Sequence, residues 1–216
     1  MYRYILFDLD GTLTDSREGI VHCVRETILG YGDPLPEEET LLRFIGPPLQ
    51  DSFIRFCGYG AEKAAEAVER FRLIYEPVGQ YENRAAPGME AVMGRLRENG
   101  RVLALASSKP ENLCVSICER FGFTPHLTAL VGSPPHGDWE KEDVGREARR
   151  QLGVTDPSQA LMVGDRKCDV CGARACGVDC VGVEFFGYAP PGELREAGAV
   201  AVVKTPEELE EFILSH

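Results

Sequence analysis

With 216 residues and 44% hydrophobic content, the chain is long enough to bury a full core, as one large domain or a domain with a small insert. Its formal charge is −12, from 35 acidic against 23 basic residues with no run of Lys or Arg, which argues against a nucleic-acid surface and for a small ligand. The first apolar run, residues 4–7, is cut at Asp8, too short for a signal-peptide core, and no later stretch approaches a membrane span.

The first predicted strand covers residues 3–7 and runs directly into "DLDGTLTDS", with Asp8 and Asp10 where the strand meets a loop. Residues 15–84 then read as helices alone. "SREGIVHCVRETILGYG" puts Ile20, Val21, Val24, Ile28 and Leu29 on one helical face and stops at glycines. Pro36 and Pro48 fit first-turn positions of two short helices, and "AEKAAEAVERFRLIY" is a fourth, built from strong helix formers. From Pro87 onward, apolar strands at 101–106, 127–131, 160–164, 180–183 and 199–203 alternate with helices, several opened by Pro87, Pro110 and Pro206. Strands without polar alternation, separated by helices, predict an α/β fold: a Rossmann-like parallel sheet with helices on both faces. The expected organisation is a core of residues 1–14 and 85–216 with a small all-helical cap, residues 15–84, inserted after strand one.

In an open parallel sheet, ligands bind beyond the carboxyl ends of the strands, where strand order reverses. Strand one ends in Asp8 and Asp10, "LALASSKP" in Ser107, Ser108 and Lys109, and "LMVGDRKCD" in Asp165 with Asp169 four residues on. Neighbouring carboxylates repel, and burial makes the repulsion worse, so a cation is expected among them. Mg²⁺ suits oxygen donors, and Asp8, Asp165 and the backbone carbonyl of Asp10 could supply them. Such a site can fix a phosphate dianion with the Ser107 hydroxyl, loop amides and one lysine, Thr12 and Ser108 being further candidate substrate contacts. A carboxylate then attacks phosphorus, forming an aspartyl phosphate, and a second carboxylate moves protons to the leaving group and from water. Asp10 suits that second role.

"DLDGTLTDS", "ASSKP", "WEKEDV" and "VGDRKCDVCGA", in that order, resemble the haloacid dehalogenase superfamily of phosphatases, over nearly the full length. Within it, the chain is similar to the phosphoglycolate phosphatase and 5'-nucleotidase-like group with a helical cap, which "FIGPPL" (44–49) and "FFGYAPPGELREAGA" also match. The resemblance implies Asp8 as nucleophile, Asp10 as acid/base, Ser107 as phosphate-binding hydroxyl and Lys141 as charge-balancing lysine. It also implies Asp165 as a metal ligand and Asp169 as a direct or water-mediated one. Lys109 is a rival to Lys141. The expected activity is Mg²⁺-dependent hydrolysis of a small phosphate ester, by a monomer or homodimer, with no nucleic-acid or membrane partner. The alternatives are a phosphomutase of the same superfamily or a receiver-like phospho-acceptor module.

Eight cysteines without a secretion signal suggest free thiols in a reducing, cytoplasmic compartment. "CDVCGARACGVDC" (168–180) invites a metal-cluster reading, but a helix followed by a strand would not converge its four sulfurs, so packed thiols are expected. Arg43 is a candidate for a substrate's second anionic group, or simply an exposed helical arginine. The four histidines show no ligand spacing.

Overall fold

In a computed structural model, residues 1–134 and 139–216 are described. In chain order these form β1 (Tyr4–Phe7), β2 (Thr14–Asp15), α1 (Arg17–Leu29), α2 (Glu38–Leu42), α3 (Leu49–Cys57), α4 (Ala61–Tyr75) and β3 (Arg84–Ala85). Then come α5 (Met89–Glu98), β4 (Val102–Pro110), α6 (Glu111–Arg120), β5 (Leu127–Ser133), α7 (Lys141–Gln151), β6 (Ala160–Gly164), α8 (Lys167–Ala175), β7 (Asp179–Val183), α9 (Glu193–Ala197), β8 (Ala201–Val203) and α10 (Pro206–Ser215). No helix among the described residues is long and apolar enough to cross a membrane.

The chain forms two compact units, one of Met1–Thr14 with Ala85–His216 and the other of Asp15–Arg84. In the first, six strands form one sheet in the order β5-β4-β1-β6-β7-β8, and every recorded pairing is parallel. Alternate side chains explain why the strands read as unbroken apolar runs. Ile5, Phe7, Leu105 and Val163 pack on one face with Met89, Ile117 and Leu209. Leu6, Ala104, Ala106 and Met162 pack on the other with Val144, Ala148 and Val170. Both faces are covered, so neither needs polar residues. The expected α/β fold is therefore present.

In the second unit, α1 turns Ile20, Val24 and Ile28 inward, where the unit also buries Phe53, Ala64, Ala67 and Phe71. "FIGPPL" contributes Phe44 and Ile45 to this core; Phe44 meets Phe53 edge-on, with ring centroids 5.1 Å apart. Asp15 and Arg84, the ends of the unit, are joined by an ion pair of 3.1 Å.

The prolines are shifted from the expected positions. Pro206 does open α10, but Pro48 and Pro110 stand just before α3 and α6, with extended ψ of 132° and 133°. Pro36 and Pro87 lie two residues before α2 and α5. A fixed φ near −65° suits the residue before a helix as well as its first turn, so proline marks the start only to within a residue or two. The strand expected at 101–106 instead continues to Pro110, with a register shift against β5 between Ala106 and Pro110.

Candidate active site

β1 lies between β4 and β6, with Phe7 opposite both Leu105 and Val163. Chain order reverses about this strand, because β4 and β5 lie to one side and β6 to β8 to the other. The shared register gathers the ends of the three strands at the carboxyl edge, with Ser107 and Asp165 one residue beyond the level of Asp8, the position where such sheets bind ligands. All three are nearly inaccessible, as is Asp169. The Asp8 amide donates to the Val163 carbonyl at 3.0 Å, which ties this edge down.

The turn after β1 folds back on the Leu9 carbonyl, which accepts from the amides of Thr12, Leu13 and Thr14. Gly11 takes φ +83° there, and a Cβ on it would lie 2.1 Å from Asp165 Oδ2. Only glycine lets the turn press against that carboxylate. The Thr12 hydroxyl donates to Asp165 Oδ1 at 3.3 Å. Thr12, expected to contact substrate, thus has a carboxylate as its partner.

Lys141 begins α7, whose start is fixed by a reciprocal capping box between Glu140 and Asp143. Its Nζ lies 2.5 Å from Asp8 Oδ1 and 2.8 Å from Asp169 Oδ1. α7 and α8 approach closely here, since a Cβ on Gly172 would stand 2.5 Å from the Lys141 Cβ. Asp169 is held at its other oxygen, where Oδ2 accepts from the Arg166 amide at 3.0 Å. Lys109, offered above as a rival to Lys141, bonds Asp10 instead: its Nζ donates to Oδ2 at 2.8 Å.

Burial pushes the Asp8 carboxyl up to about 6, opposed by Lys141 and reinforced by Asp169. Burial also raises Asp165 well above the carboxylate range, with Asp169 and Asp8 adding to it. For Lys141, burial opposes the charge, but Asp169 and Asp8 outweigh it and hold the ammonium well above its ordinary value. The cluster is therefore short of positive charge.

Oxygens of Asp8, Asp165 and Asp169 lie within 4.8 Å of one another, and no other such group of His, Cys, Asp or Glu occurs among the described residues. Asp165 Oδ2 is buried without a hydrogen-bond donor. An orphaned carboxylate oxygen costs several kcal/mol unless something positive meets it, and hard oxygen donors fit a small divalent cation.

Ser107 is buried, and its Oγ accepts from the Lys109 amide at 3.4 Å; Ser108 beside it is half-buried. Arg43 caps α2 and pairs with Glu39 at 3.0 Å, its side chain 59% exposed. All eight cysteines are free, and those of 168–180 range from exposed Cys168 to buried Cys176 and Cys180. His22 pairs with Glu82 and His126 with Glu90, while His136 lies outside the described residues.

A family model described as haloacid dehalogenase-like hydrolase matches residues 5–183. The chain belongs to this family. It is 38% identical to a 5'-nucleotidase of Pseudomonas aeruginosa over 195 residues, covering 90% of this chain and 87% of that one. Identity to the tyrosine-protein kinase PtkA of Mycobacterium tuberculosis is 36% over 211 residues, covering 97% of this chain and 72% of that one. A phosphoglycolate phosphatase of Cupriavidus necator is 31% identical over 209 residues, covering 95% and 90%. Among solved structures, a predicted phosphatase from Clostridium acetobutylicum superposes with a TM-score of 0.93 at 36% identity over the whole of both chains. This haloacid dehalogenase-like protein is a phosphatase.

Sequence reasoning missed two partnerships at this edge. The sequence offers Lys109 as a rival to Lys141 and not as a partner of Asp10, although β1 and β4 are neighbours and the segments at their ends carry Asp10 and Lys109. Arg166 pairs with Glu193 at 2.9 Å, a contact of 27 residues' separation that no local pattern announces.

Proposed function

We propose that the protein is a Mg²⁺-dependent phosphomonoester hydrolase that works through a phosphorylated Asp8. The observation that carries this reading is the Lys141 ammonium bridging Asp8 and Asp169 beside the unpartnered Asp165 Oδ2. Asp8, Asp165 and the backbone carbonyl of Asp10 would hold the cation, and Asp169, with both oxygens already engaged, would assist through water. The bound cation would supply charge neutralisation for the phosphate oxygens.

An Asp8 carboxylate oxygen attacks phosphorus, forming an O–P bond as the P–O bond to the ester oxygen breaks. Asp10 gives its proton to the departing alkoxide, then takes one from water as the water oxygen attacks phosphorus. The O–P bond to Asp8 breaks and inorganic phosphate leaves. Lys109 orients the Asp10 carboxyl through its contact with Oδ2. Ser107, with Ser108, binds phosphate oxygens, and Lys141 keeps Asp8 ionised for attack. The substrate is a small metabolite ester of the phosphoglycolate or nucleoside 5'-monophosphate kind, with Arg43 serving a second anionic group; the names of the related nucleotidase and phosphatase favour these two classes.

The test is Asp8→Asn. Turnover of a generic phosphomonoester, read as phosphate release with Mg²⁺, should fall below detection while the melting temperature does not drop. Substantial remaining turnover in a folded variant would refute the covalent mechanism.

A further inference from the structure

Arg166 is an awkward neighbour for a cation site. It follows Asp165 directly, and its guanidinium lies within electrostatic reach of that carboxylate. A fixed positive charge there would compete with a divalent ion for the same oxygens. Yet Asp165 Oδ2 accepts no hydrogen bond.

Glu193, the first residue of α9, accounts for this. Its Oε1 accepts from Arg166 Nε at 2.9 Å and from the Lys167 amide at 2.9 Å. The side chains of Arg166 and Glu193 are only 20% and 17% exposed, so water screens this contact weakly. One carboxylate thus neutralises the arginine and pins the backbone of the loop joining β6 to α8. The adjacent Arg166 amide is held by Asp169, so two successive amides of the loop are each fixed by a carboxylate.

We propose that Glu193 is a positioning residue that draws the Arg166 guanidinium away from Asp165 and so keeps that carboxylate open to a divalent cation. This inference rests on the metal-dependent reading above. Glu193 touches neither substrate nor cation; it acts through Arg166.

Glu193→Gln isolates the charge, because the amide oxygen can still accept from Lys167 while the countercharge to Arg166 is lost. Isothermal titration of the full-length protein with MgCl₂, with no substrate present, should show about tenfold weaker binding in E193Q, the range in which supporting contacts affect metal affinity. In E193Q/R166A the competing cation is gone, and affinity should return to within about threefold of wild type. Wild-type affinity in E193Q would overturn the proposal. So would a double variant as weak as E193Q, because a purely architectural role for Glu193 gives no rescue. Absence of Mg²⁺ binding by the wild type itself would instead overturn the metal-dependent reading, and this inference with it.

Discussion

At the carboxyl edge of the sheet, Asp8 and Asp169 share one ammonium and Asp165 stands beside them, all nearly inaccessible to water. In the helical unit, pairs such as Arg43 with Glu39, Lys63 with Asp33 and Arg72 with Glu69 join one cation to one carboxylate at solvent-reached positions. Exposed pairs contribute about 0–1 kcal/mol each, and side-chain entropy and screening absorb most of their attraction. A buried cluster with more carboxylates than cations costs stability, which marks it as a site of chemistry and not of structural support. What separates the two regions is burial together with the balance of charge, since both contain acidic residues.

The harshest way to break this comparison is to remove the shared cation. Lys141→Met should lower kcat for a generic phosphomonoester by roughly 10²–10³, the scale of losing one preorganised electrostatic contact. It should also lower the melting temperature, because Asp8 and Asp169 would be left without their compensating charge. Phosphate release and a thermal melt on the same sample measure both. A variant within tenfold of wild-type kcat would mean that the balance of charge at this edge has no catalytic meaning.

A milder change alters protons and cation instead of side chains. A carboxyl whose folded pKa is raised contributes stability that is present below the ordinary carboxylate range and lost as pH rises through the folded value. For Asp8 that window runs from about 4 to about 6, and the raised Asp165 acts in the same direction. In EDTA, stability should therefore fall on going from pH 5 to pH 7, by on the order of 2 kcal/mol. On the proposed Mg²⁺-dependent reading, the added ion would replace the proton as counter-charge, so its stabilising effect should grow over the same interval. Melts at pH 5, 6 and 7 with EDTA or Mg²⁺ read this, and a Mg²⁺ effect that shrinks with pH would contradict it.

The two regions also differ in how much their sequence discloses. The sheet was legible because burial on both faces forces continuous apolar strands, and because the polar residues that interrupt them at Asp8, Ser107 and Asp165 fall within one residue of the same level once the strands pair. Lys141 is different. It starts a helix, not a strand end, and reaches Asp8 through the close packing at Gly172, so it was found by family resemblance alone. The contacts Thr12–Asp165, Lys109–Asp10 and Glu193–Arg166 join residues 153, 99 and 27 apart, and each depends on side-chain direction that spacing does not encode. In the helical unit, amphipathic faces announced the helices, whereas the residue before a helix and its first turn both accept proline, which blurred their starts.

The smallest expected effect tests the helical unit itself. Arg43 is 59% exposed and its partner Glu39 83% exposed, so Arg43→Ala should change global stability by no more than about 0.5 kcal/mol. If Arg43 serves a second anionic group, the variant should raise KM several-fold for phosphoglycolate, which carries a carboxylate besides its phosphate. KM for p-nitrophenyl phosphate, which carries none, should stay within error, and kcat should hold for both, because ground-state and transition-state binding are lost equally. A uniform rise in KM for both esters would assign Arg43 to the phosphate itself, and unchanged KM for both would return it to the exposed, paired arginines of the helical surface. A rise for phosphoglycolate alone is the result that would sharpen the contrast: substitutions at the sheet edge act on every ester alike, and those in the helical unit count only when they separate one ester from another.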